Sequence, residues 1–313
     1  MKEIKKTQVK QLIINSEQEG RRIDNFLVSY FKTLPKSRIY QMIRKGEVRV
    51  NKGRIKAEYK LRLEDIVRIP PVSLEQPEKV SISSEKQSHL LEQVVFEDES
   101  ILILNKPAGV AVHAGSNVAF GIIEILREAR KDLSFIELVH RLDKPTSGCL
   151  LLAKSMLVLR ALNDAIASGE VKKQYLALLA GEMQKKTQRV EMQLQKNQLR
   201  SGERMVKVDE EGKHSISIFH REKILQGMTL AKIELHTGRT HQIRVHAEQI
   251  GHPIIGDNKY GEKQINQKLR KQGIKRLCLH AETLKFKHPL TKETIEINAP
   301  LDQDLTNYID KAR

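Results

Sequence analysis

Residues 138–155 read LVHRLDKPTSGCLLLAKS. Both ends are apolar and strand-like, and between them stand His140, Arg141 and Asp143, followed by a Pro-Thr-Ser-Gly turn. Three side chains that are costly to bury thus interrupt a hydrophobic strand. Working outward, VVFEDESILILNKPAG upstream reads as two strands about an acidic turn, and KKQYLALLAG and MTLAKIELHTG downstream as further strands. Residues 122–130 and 157–166 have helical apolar spacing, and THQIRVHAEQIG reads as a helix stopped by Gly251. Strands outnumber helices and do not alternate with them as regular βαβ units. The expected class is therefore α+β, with a twisted, mixed or largely antiparallel sheet and flanking helices.

The 313 residues carry a net charge of +16. Residues 1–86 hold 20 Lys and Arg against 11 Asp and Glu, so more than half of the excess lies in little more than a quarter of the length. Clustered positive charge favours a polyanion over a merely solvated surface. The same segment has a readable fold. Ile23, Phe26, Leu27, Tyr30 and Phe31 make one helical face. Ser37 is placed to cap a second short helix bearing Ile39, Met42 and Ile43, and Gly46 to end it. VRVN and KLRLEDIVRIP then read as small strands. Lys36, Arg38, Arg44, Lys45, Arg49, Lys52 and Arg54 are the candidate contacts to a phosphate backbone. Residues 71–89, rich in Pro, Ser and Glu, read as a linker between a basic domain at 1–70 (core about 20–70) and a larger domain at 90–313.

Several chemistries are disfavoured. Cys149 and Cys278 are isolated thiols, which argues against a disulfide scaffold or a cysteine zinc site. His241 and His246 are five apart, there is no H-E-x-x-H, and no carboxylate pair accompanies His140, His236 and His252, so no metal is expected. G-x-S-x-G, P-loop and dinucleotide fingerprints are missing, and Ser147 before Gly148 reads as turn chemistry. No apolar run reaches signal-peptide or membrane-span length, so a cytoplasmic protein without membrane contact is expected.

The ordered blocks ILILNKPAGVAVHAG, HRLDKPTSGCLLLAK, KKQYLAL, GRTHQIRVHAEQIGHPIIGDNKYG and RLCLHAETLKFKHP resemble the RluA family of RNA pseudouridine synthases, from about residue 94 to 300. Residues 20–70 resemble the S-four-type RNA-binding domain. Together with LQKNQLRSGERMVKV at 194–208, they resemble the RluC branch, which modifies large-subunit ribosomal RNA. The resemblance implies a cofactor-free isomerisation of uridine to pseudouridine in 23S RNA or a large-subunit assembly intermediate, by a monomer. It implies Asp143 as the reacting carboxylate, Arg244 as its cationic partner and Tyr175 as the ring packing on uracil, or as the group handling the C5 proton. Arg141 would fill the stack vacated by a flipped base, His140 would hold the loop, and Leu277 or Leu279 would pack on the base. One departure is visible: Lys144 and Pro145 follow HRLD where many relatives carry a basic residue and then Asp. The alternatives are a noncatalytic RNA-binding or ribosome-assembly factor, for which the basic domain alone would suffice, and a transfer-RNA pseudouridine synthase.

Overall fold

The computed structural model describes residues 4–16, 18–31, 34–75, 82–115, 118–198 and 204–311. The chain divides into two compact units, Met1–Ser81 and Ile82–Arg313.

The first unit holds β1 (Ile4–Lys6), β2 (Lys10–Ile13), α1 (Ile23–Phe31), α2 (Lys36–Arg44), β3 (Arg49–Val50), β4 (Ile66–Ile69) and β5 (Ser73–Glu75). A three-stranded antiparallel sheet, β2-β4-β3, is joined by a separate β1-β5 pair. Ile23, Phe26, Leu27 and Phe31 of α1 and Ile39, Met42 and Ile43 of α2 meet Val48, Val50, Leu61 and Val67 in one core, as the apolar spacing predicts, but Tyr30, expected on the same face, is exposed. Ser37 does not cap α2. The helix begins at Lys36 behind Pro35, whose φ of −56° and ψ of 139° set the entry without any side-chain cap. Gly46 does end it: at φ 71° it lets its own N–H reach the Ile43 carbonyl and the Glu47 N–H reach that of Met42.

The second unit opens with α3 (Ser84–Leu91), β6 (Val94–Glu97), β7 (Ile101–Lys106), α4 (Ile122–Ala129), β8 (Glu137–Leu138), β9 (Ser147–Ala153) and α5 (Met156–Ala167). It continues through β10 (Lys172–Ala180), β11 (Thr187–Gln198), β12 (Arg204–Val208), β13 (Lys213–Leu225), β14 (Met228–Leu235) and α6 (Gln242–Gln249). Last come α7 (Lys263–Lys271), β15 (Leu279–Lys287), β16 (Thr294–Asn298) and α8 (Gln303–Lys311). Of the stretch read as linker, 73–75 are thus strand and 84–89 lie in α3, while 76–81 lie outside the described residues, as do 199–203 of the segment 194–208.

One mixed sheet orders its strands β12-β11-β13-β14-β10-β15-β9-β7-β6, with β16 on β15 and β8 on β9. β7 and β9 are buried throughout, and their apolar runs at 101–104 and 149–153 point both ways because both faces are covered. Leu102, Leu104, Leu150 and Leu152 join the core under α4, while Ile101, Ile103, Leu151 and Ala153 face α5 through Val158 and Leu162. α5 is capped by the Ser155 hydroxyl, which accepts from the Val158 N–H.

The parallel pairing of β15 with β9 brings the end of the chain to the HRLD loop. It depends on Gly148. At φ 106° this residue faces Ala281 so closely that a Cβ would stand 2.2 Å from the Ala281 carbonyl oxygen. The expected Ser147–Gly148 turn is therefore a strand start, and Ser147 Oγ lies 2.9 Å from His280 Nδ1 across that pairing.

Candidate active site

Asp143 lies between β8 and β9, which pair antiparallel, so the polar loop is held by strand at both ends. Its carbonyl accepts from the Thr146 N–H at 3.0 Å, closing a turn over Lys144 and Pro145. Two further ties fix the loop. The Leu151 N–H donates to His140 Nε2 at 3.2 Å, and burial presses the His140 pKa down to about 4, so the ring is a neutral acceptor. Lys106, fully buried, donates to the carbonyls of Pro107, Val110 and Lys144 at 2.8, 2.9 and 3.2 Å. Burial lowers its pKa to about 7, against the pull of Asp143.

A cavity of about 260 Å³ opens over this loop. His140, Arg141, Asp143, Tyr175, Arg244 and Leu279 are all in its wall. The sequence motifs, up to 139 residues apart, thus converge on one site. Arg141 is exposed at the rim. Tyr175 rises from β10 where β15 bulges: Gln174 pairs with Thr283 and Leu176 with His280, leaving Tyr175 opposite an extra residue. It is 6% exposed, and burial, helped by Asp143, raises its pKa and keeps the phenol protonated. Leu277 is buried in the core and does not line the cavity; of the two leucines, Leu279 faces it. His236 lies on a neighbouring groove and His252 is tied to the Ala180 carbonyl, so neither histidine joins His140.

Arg244 projects from α6 and is 4% exposed. Its Nη1 lies 3.4 Å from Asp143 Oδ2. A second carboxylate, Asp257, takes the rest of the guanidinium: Nε to Oδ2 at 2.7 Å and Nη2 to Oδ1 at 2.8 Å, a bidentate pair. Burial opposes charge on both members, but their mutual attraction wins, so Arg244 is raised and Asp257 lowered from their ordinary values. Asp257 also accepts from the N–H groups of Lys259 and Tyr260, and Tyr260 lies under the guanidinium at 5.1 Å.

Asp257, Tyr260, His241 and Lys106 were not assigned to the site from sequence. Asp257, Tyr260 and His241 lie in the block GRTHQIRVHAEQIGHPIIGDNKYG, where the G-D-N turn before a tyrosine was the available signal.

In the first unit, Lys36, Arg44, Lys45, Arg49, Lys52 and Arg54 are exposed. Arg38 is half-buried and pairs with Glu47 at 2.9 Å. Among the described residues no helix is long and apolar enough to cross a membrane.

Comparison with known proteins agrees with this arrangement. Residues 100–249 match the RNA pseudouridylate synthase family model, and residues 21–67 match that of the S4 domain. The chain is 50% identical to the ribosomal large subunit pseudouridine synthase C of Pasteurella multocida, over 97% of this chain and 94% of that protein. It is 47% identical to the Escherichia coli protein of that name, over 97% of each. Among solved structures, human RNA pseudouridylate synthase domain containing 1 aligns with a TM-score of 0.56 at 26% identity, covering 67% of this chain and 83% of its own. Human RNA pseudouridylate synthase domain containing 4 shares the fold, with a TM-score of 0.61 at 21% identity over 73% and 95%. A convergent carboxylate–guanidinium cavity on this sheet, and near full-length identity of this order, lead to one conclusion: the chain belongs to the RNA pseudouridylate synthase family and carries an S4 domain ahead of its synthase domain.

Proposed function

We propose that this enzyme converts specific uridines of 23S large-subunit ribosomal RNA, free or in an assembling particle, to pseudouridine, with Asp143 as the reacting carboxylate. The supporting observation is the Asp143 carboxylate standing in the cavity beside the buried, permanently charged Arg244.

The isomerisation breaks the bond from ribose C1′ to uracil N1 and makes a bond from C1′ to C5; the C5 proton leaves and N1 gains one. An ionised carboxylate near C1′ can attack that carbon, or take a proton from the neighbouring ribose carbon. Arg244 sets a positive charge beside the Asp143 carboxylate, and because Asp257 binds Arg244 from the other side, that cation is already in place before RNA arrives. The target base must leave its stack, at a cost of a few kcal/mol. Arg141, exposed at the rim and planar, is suited to occupy the vacated space. Tyr175 and Leu279 supply the apolar wall for the turned uracil. His140 holds the loop. The exposed basic residues of the first unit are suited to the phosphate backbone. We read the chain as 1–70 for RNA docking and 90–313 for catalysis, acting in the cytoplasm as a monomer.

Tritium release from C5-labelled uridine in 23S RNA tests the central assignment. Asp143→Asn should release tritium at least about a thousandfold more slowly than wild type while still binding RNA. Wild-type release by that variant would refute the role of Asp143.

A further inference from the structure

The carboxylate of Asp143 has a second neighbour, His241, at the start of α6. This residue is left-handed (φ 54°, ψ 16°), a conformation that non-glycine residues adopt rarely and histidine more readily than most. Its ring touches two groups. Nδ1 lies 2.9 Å from the Tyr260 hydroxyl, and Nε2 lies 3.8 Å from Asp143 Oδ2. The His241 and Tyr260 rings meet edge to face, 5.6 Å apart.

The donors around Tyr260 favour one tautomer. The Val206 N–H donates to the Tyr260 oxygen at 2.9 Å, so one phenol lone pair is occupied. Among the described residues, the phenol proton then has His241 Nδ1 as its acceptor. An imidazole that accepts at Nδ1 carries its own proton on Nε2, the nitrogen facing the carboxylate. The opposite tautomer would set a nitrogen lone pair against the Asp143 oxygens and strand the phenol proton. Burial holds the ring below its ordinary pKa despite Asp143, so the neutral form is the relevant one. The charged and titratable groups that face it are Asp143, Arg244, Asp257, Lys259 and Tyr260.

We propose that Tyr260 locks His241 in the Nε2–H tautomer, and that His241 is thereby a positioning residue that orients Asp143 for reaction, as a second donor beside Arg244. This rests on Asp143 being the reacting carboxylate. The 3.8 Å separation is beyond a hydrogen bond, and such contacts tighten when substrate closes the site.

Nitrogen-15 NMR of the imidazoles in the full-length wild-type chain reads the tautomer directly. The expected result is a protonated-type shift at Nε2 and an acceptor-type shift at Nδ1 of His241. Tyr260→Phe keeps the ring under Arg244 but removes the phenol proton. Its single-turnover rate on RNA should fall about tenfold, the scale of one hydrogen bond, with RNA affinity unchanged. Its rate deficit relative to wild type should shrink at low pH, because an imidazolium carries a proton on Nε2 whether or not the phenol is there. His241→Gln, which keeps an N–H near the Nε2 position, should retain more activity than His241→Leu. A wild-type proton on Nδ1, or a folded Tyr260→Phe with wild-type rate and pH profile, would overturn the proposal. If Asp143→Asn is inactive while Tyr260→Phe is unimpaired, this inference alone falls. If Asp143→Asn is active, the reading beneath it falls as well.

Discussion

The loop at 139–146 and the loop at 252–261 each present an aspartate to Arg244, and they hold it differently. Asp257 has no exposed side-chain surface, makes two short bonds to the guanidinium and accepts two backbone N–H groups. Asp143 is 19% exposed at its side chain and makes one 3.4 Å contact. Its loop is nonetheless rigid, through His140 to Leu151 and Lys106 to Lys144. An anchored backbone with a loosely held carboxylate suits a group that must move onto a substrate atom. A carboxylate with both oxygens engaged suits a fixed support.

Substitution of the two aspartates is the strongest way to break this contrast. Asp257→Asn leaves a buried guanidinium without its partner and should destabilise the fold by about 3–5 kcal/mol, with activity falling too. Asp143→Asn should change stability by less than about 1 kcal/mol while abolishing turnover. Chemical denaturation of both variants measures the difference, and equal destabilisation would remove it. The pH dependence has a definite sign. The Asp257 pKa is depressed in the folded state, so its contribution is complete above the unfolded carboxylate pKa and is lost as pH falls through the folded one. Acid should therefore erode wild-type stability more steeply than that of Asp257→Asn.

Lys106→Met tests whether the loop backbone is the anchored part. Three carbonyls lose a donor, and a loss of about 2 kcal/mol is expected, with slower turnover because Lys144 adjoins Asp143. Here too the folded pKa lies below the unfolded one, so stability again rises with pH, at higher pH. A lysine lowered to about 7 binds fewer protons folded than unfolded between that value and its ordinary value of about 10.4. Wild-type stability should therefore rise relative to Lys106→Met across that interval and run parallel below it. Parallel stability curves throughout would mean that Lys106 is not a strained, buried cation.

Much of this was legible in the chain. The apolar runs around HRLD are strands because β7 and β9 are covered on both faces, and Gly46 and Gly251 end their helices at φ 71° and 77°. What was hidden depends on pairing between distant segments. Nothing local marks Asp257 as the tighter partner of Arg244, since the two lie 13 residues apart in one block and meet only once the chain turns back after α6. Ser147–Gly148 looks like a turn until β15 comes alongside in parallel, and Pro35 pre-empts the cap that Ser37 seemed to offer α2. The roles of His241 and Tyr260 follow from the donors and acceptors around them, which composition does not encode.

The smallest expected effect carries the contrast between held and free charges into the first unit. Arg38 spends its guanidinium on Glu47 and Gln41, whereas among the described residues the Arg44 and Lys45 side chains have neither a carboxylate nor a hydrogen-bond partner. A cation already paired within the protein releases little when it nears a phosphate, because its own field is partly neutralised. Replacing Arg44 and Lys45 together by Gln should lower the slope of log affinity against log salt by about 1.5, near 0.7–0.9 for each phosphate contact. Arg38→Gln should leave that slope alone and cost less than about 1 kcal/mol of stability. RNA-binding titrations across a salt series measure both. An equal fall in slope for Arg38→Gln would mean that RNA displaces Glu47, and that the ion pair is a resting state of the docking surface and not a fixed strut.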